Sequence, residues 1–116
     1  MAMDEFKGFY LSLDNTGKAR LLALLAFDLS IAARDTYAVG TEDLADPRRM
    51  RQVNELQHHV LDRLSSLLDS GEAWDEELFA DSLVAERDAC RCGSAFRKSM
   101  EFLRSHLSVS PVKRAV

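Results

Sequence analysis

Glycine and proline are scarce in this chain, five and two among 116 residues, so there is little material for tight turns. That scarcity favours a few long helices over many short strands. Cysteine is limited to Cys90 and Cys92. A lone Cys-x-Cys is neither a secreted disulfide framework nor a zinc motif, and two reduced thiols near a helix end are expected. Positive charge is not in excess either. A formal net charge of −4 argues against a nucleic-acid partner, whose binding would rest on neutralising phosphates. A long apolar run is missing too, because the longest, Leu21 to Ala33, is broken by Asp28 and Ser30 and is too short to span a bilayer. Met1 to Glu5 opens acidic, with no basic stretch ahead of an apolar one. The expectation is a cytoplasmic protein without a membrane segment.

What is present suits a single globular domain: 47% hydrophobic and 29% charged residues. Residues 1–107 read as one helical domain. Residues 108–116, with Pro111, Lys113 and Arg114, read as a flexible tail.

The clearest helix runs from Asp46-Pro47 to Leu68. Asp46 suits the N-cap, Pro47 the first helical position, and Gly71 the position beyond the end. Placed on a wheel at 100° per residue, with Met50 at zero, Leu56, Leu67, Val60, Val53, Leu64, Met50, Leu68 and Leu61 fall in one arc of about 140°, with Gln57 inside it. Asn54, Glu55, His58, His59 and Asp62 lie away from that arc, facing solvent or a second interface.

Four further helices are expected. Asp4 to Leu13 carries Phe6, Phe9, Tyr10 and Leu13 on one face, which needs the body of the bundle or another subunit as its partner. Asn15 or Thr16 can cap the next helix, from about Gly17 to Tyr37. That helix is apolar round much more than half its circumference and so must be central or bury two faces. Gly40 ends it, and Thr41 to Ala45 form an acidic loop. Asp28 falls within its apolar surface, a costly place for a carboxylate unless it is hydrogen-bonded or at a rim. A fourth helix, about Trp74 to Cys90, opens with acids suited to the positive helix end, and Glu86 falls inside its apolar arc as a second candidate inward carboxylate. A turn at Gly93-Ser94 leads into the last helix, ending near Leu107. Residues 72–90 hold seven acids and one Arg, and residues 91–116 six bases and one acid, so these two helices are expected to pair their charges.

The chemistry that these residues could perform is limited. Glu55-Leu56-Gln57-His58 has the Glu-x-x-His spacing of carboxylate-bridged di-metal bundles, in which i and i+3 share a face and can ligate one divalent transition metal. Asp28 and Glu86 could supply further acids. The second Glu-x-x-His is missing, since Arg104 stands three residues after Glu101, and the motif faces outward. A metal, then, would need a dimer bringing two such faces together. Glu55–His59 and His58–Asp62 equally read as ordinary i, i+4 pairs of a solvated helix face, or as the polar part of a subunit interface. His58 as a general base oriented by Glu55 or Asp62 would lack a nucleophile, an oxyanion loop and a cofactor motif. Arg48, Arg49 and Arg51 could contact an anion, and they could as well balance Glu42, Asp43 and Asp46.

Ile31-Ala32-Ala33-Arg34-Asp35-Thr36-Tyr37, followed by Asn54-Glu55-Leu56-Gln57-His58, resembles a pattern in short uncharacterised bacterial helical proteins. The resemblance covers about the first two thirds of the chain. It implies a bacterial cytosolic helical protein and transfers no catalytic role. The reading is an all-α bundle of four main helices plus a short N-terminal one, homodimeric, acting as a protein–protein interaction or regulatory module without a cofactor. The alternative is a metal-binding bundle using Glu55 and His58.

Overall fold

Aspartates open three of the helices among the described residues. The computed structural model describes residues 3–38, 47–69 and 73–107, the side chains of 33–38 and 107 excepted. Asp4 opens α1 (Glu5–Ser12) by accepting through Oδ1 from the amides of Phe6 at 2.9 Å and Lys7 at 3.2 Å. Asp14 opens α2 (Asn15–Ala38), accepting from the Gly17 amide at 2.8 Å. The cap is therefore Asp14, ahead of the expected Asn15 or Thr16. Gly17 relieves a tight corner, since a Cβ there would sit 3.1 Å from the Leu13 Cβ. Asp75 opens α4 (Glu76–Cys90) through the Leu78 amide at 3.0 Å.

After α3 (Pro47–Asp69) and α4, the chain turns at Arg91, which adopts the left-handed conformation with φ 58°. The Cys92 amide then reaches back to the Arg87 carbonyl at 2.9 Å, satisfying an end of α4. The expected Gly93 turn is thus displaced two residues upstream, and Gly93 already belongs to α5 (Gly93–Phe102). A π-helical turn, Leu103–Leu107, continues α5. Cys90 and Cys92, expected as thiols, are joined by a disulfide across this corner, with Cα atoms 5.5 Å apart.

The fold is all-α, with no strand among the described residues. As expected, α2 is central: it packs most extensively on α3, then on α5, and also touches α1 and the π-helical turn. Its Leu21, Leu22, Leu25 and Leu29 are fully buried, with Val53, Leu56 and Val60 of α3. The aromatic face of α1 is buried within the same chain. Phe6 meets Phe96 edge-on at 4.7 Å, and Tyr10 lies 5.9 Å from Phe79.

Two expectations change. The buried side chains of α3 are Val53, Leu56, Val60 and Arg63, while Leu61 and Leu68 are exposed. The inward face is thus rotated by about 50° from the apolar arc, towards Arg63. Among the described residues, the acids of α4 do not pair with the bases of α5. Glu77 and Asp81 pair with Lys7 of α1, Glu76 with Arg63 of α3, and Glu86 with His59 of α3. The physical reason is placement, since α4 packs mainly on α3 and α1 and only slightly on α5. Asp46, Gly40, the 41–45 loop, Gly71 and the 108–116 tail lie outside the described residues.

Candidate functional site

The polar face of α3 is where the sequence concentrates chemistry, and the helix projects it outward. Asn54, Glu55, His58, His59 and Asp62 are all exposed. His58 Nδ1 lies 2.9 Å from the Asn54 carbonyl of its own helix. His59 leaves the cluster: its Nδ1 lies 2.7 Å from Glu86 Oε2 on α4. Glu86 is thus not an inward carboxylate but the outer clasp between α3 and α4. Its distance from the core follows from α4 burying Phe79, Ala80, Leu83 and Cys90 instead.

Asp28 is half-buried and accepts from the hydroxyl of Ser99 at 3.0 Å, so its partner is a serine of α5 and not a basic residue. Ser99 itself is fully buried. Arg49 donates through Nε to the Cys90 carbonyl at 2.9 Å and so completes the C-terminal end of α4. Arg48 and Arg51 are exposed. Gln57, the polar residue inside the apolar arc, donates to the Ala26 carbonyl at 2.8 Å and to Ser30 Oγ at 2.7 Å, tying α3 to α2.

The most buried charge was not among the residues singled out from sequence. Arg63 is only 3% exposed. Its guanidinium grips Glu76, through both Nη2 and Nε. It also donates to Ser66 at 3.2 Å and lies 4.7 Å from the centroid of the Trp74 ring. Tyr10 donates to the same Glu76 carboxylate at 2.7 Å. Burial alone would raise the Glu76 carboxyl, but hydrogen bonds from Arg63 and Tyr10 outweigh it and hold the group below its ordinary value. Burial, then the adjacent carboxylate, push the Tyr10 phenol well above its own. On the wheel Arg63 lies about 20° beyond Leu56, and that adjacency was the available signal.

Two concavities flank these residues. One, of about 400 Å³, lies between α3 and the start of α4 and is lined by His59, Asp62, Trp74, Asp75, Leu78, Phe79 and Ser82. The other, a groove of about 530 Å³, lies between α2 and α5 with its π-helical turn; Leu24, Phe27, Asp28, Lys98, Glu101, Phe102, Ser105 and His106 line it. Phe102 and His106 stack in it at 4.3 Å.

No three His, Cys, Asp or Glu residues gather as a metal site among the described residues. Glu55 and His58 would supply at most two ligands from one chain. No described helix is long and apolar enough to cross a membrane. No known family, curated protein or solved structure matches the chain, so function must be read from its own residues.

Proposed function

We propose that the protein is a homodimeric helical interaction module that meets a second copy through the α2–α5 groove. The carrying observation is that Phe27 is 64% exposed and Phe102 44% exposed at one groove, although α2 is the central helix of the bundle. Large apolar side chains gathered at one concavity mark an interaction surface more often than they mark free surface.

The charges favour a second copy as the occupant. Asp28 and Glu101 share the groove with Lys98. A two-fold axis through such a face sets Lys98 of each copy against acids of the other, as a self-complementary interface requires. Phe27 and Phe102 would be the central anchors, with the charged residues as rim. Such a face is built from α2 and α5, so it does not use the Glu55-x-x-His58 pattern on α3. A bacterial cytoplasmic setting belongs to the same proposal.

Sedimentation velocity at tens of micromolar tests the reading. Wild type should sediment as a dimer, and Phe27→Asp as a folded monomer with unchanged helical circular dichroism. Leu68→Asp, at an exposed leucine away from the groove, should leave the dimer intact. A monomeric wild type, or a Phe27→Asp dimer, would overturn the proposal.

A further inference from the structure

The α3–α4 cavity carries chemistry that the dimer reading does not use. Trp74, Leu78 and Phe79 supply its apolar lining and Asp62 and Asp75 its carboxylates, while His59, also in the lining, is held by Glu86. Trp74 is held before any ligand arrives. The buried Arg63 guanidinium covers its ring at 4.7 Å, and Phe79 meets it edge-on at 5.5 Å. Arg63 is itself fixed by Glu76 and Ser66, so the aromatic wall is pre-organised.

The two aspartates contrast with Glu76, Glu77, Asp81 and Glu86 of α4. Glu76 is paired with Arg63, Glu77 and Asp81 with Lys7, and Glu86 with His59. Asp62 has neither an ion pair nor a hydrogen bond among the described residues. Asp75 spends Oδ1 on the Leu78 amide and has no cation. Unneutralised carboxylates beside a fixed aromatic and aliphatic lining complement one class of ligand, a cation with an apolar body. An anion is repelled there, and a neutral apolar molecule would strip water from Asp62 without replacing its hydrogen bonds.

We infer that this cavity binds a small organic ammonium ion, with its charged nitrogen at Asp62 and Asp75 and its body against Trp74, Phe79 and Leu78. A volume of about 400 Å³ suits a molecule of on the order of a dozen non-hydrogen atoms. Asp62 is the larger electrostatic contributor, because the positive end of α4 already offsets part of the Asp75 charge.

Trp74 is the only tryptophan, so fluorescence excited beyond the tyrosine absorption band reports on the wall of this cavity. Full-length protein is titrated with 2-phenylethylamine and with its neutral counterpart 2-phenylethanol. The amine should give a saturable change, and the alcohol should bind at least about tenfold more weakly. Asp62→Asn, an exposed substitution of the same size, should weaken the amine by about tenfold and leave the alcohol unaffected. Asp62→Asn/Asp75→Asn should abolish the preference for the amine, with the α4 cap preserved because asparagine also caps. Absence of saturation by the amine, equal affinity for amine and alcohol, or unchanged amine affinity in Asp62→Asn would each overturn the inference.

Discussion

Helix α3 carries two polar regions of opposite character. Asn54, Glu55, His58, His59 and Asp62 hold the residue types that catalysis and metal binding use, yet all are exposed. Arg63 and Glu76 read as routine surface charge, yet with Tyr10 they close a buried junction of α1, α3 and α4. The difference is one of register. A residue's chemistry says what it could do, but its angle on the helix decides whether it is removed from water, and removal from water sets its energetic weight. In α3 that angle favours the arginine over the histidines.

The largest effect should come from breaking the buried region. Arg63→Met leaves the Glu76 carboxylate without its cation, with the Tyr10 hydroxyl still donating to it. The expected loss is about 3 kcal/mol in urea unfolding, typical of removing one partner from a buried pair. Arg63→Met/Glu76→Leu should recover much of that loss, since an apolar replacement leaves no orphaned charge. If Arg63→Met costs no more than a surface substitution, the contrast between the two regions fails.

A smaller effect should follow from pH, with different causes on the two limbs. Glu76 and Asp4 titrate below their ordinary values, Glu76 because Arg63 and Tyr10 outweigh burial, Asp4 chiefly because of Arg87. Their unfolded forms take up protons first. The stability they contribute is complete above the ordinary carboxylate range, about pH 4, and is lost as pH falls through it and beyond. Tyr10 has the opposite sign: its folded value is raised, so its unfolded form ionises first. Stability should fall as pH climbs past about 10, the ordinary tyrosine value. Tyr10→Phe should flatten the alkaline limb while leaving the acid limb from Asp4 in place, as measured by unfolding midpoints across pH. An alkaline limb unchanged in Tyr10→Phe would show that the phenol is not its source.

The sequence made the all-α class legible through its few glycines and prolines and the periods of α1, α2 and α3. It also made legible the outward direction of Glu55 and His58. What it left hidden depends on contacts between helices. The apolar arc of α3 included Leu61 and Leu68, but both are exposed, and Arg63 at its edge is drawn in by Glu76 and Trp74. Glu86 fell inside a wheel arc, but His59 from another helix holds it at the surface. The charge contrast between residues 72–90 and 91–116 suggested neighbours in sequence as partners. Lys7, some seventy residues earlier, reaches the acids instead, and its bonds to Glu77 and Asp81 could not be read from either segment alone.

The smallest effect belongs to the exposed region, where a double-mutant cycle on His59 and Glu86 sharpens the contrast. The pair joins two helices at 2.7 Å, but half of the His59 side chain faces water. Solvent screening and the entropy of holding both side chains work against it, and the coupling should lie below about 1 kcal/mol and shrink with added salt. His58→Ala, which loses only a bond within its own helix, should change stability by less than about 0.5 kcal/mol. A His59–Glu86 coupling as large as the Arg63→Met loss would mean that α3 and α4 are fastened as firmly from outside as from within. Solvent exposure would then be a poor guide to which side of this helix carries the fold.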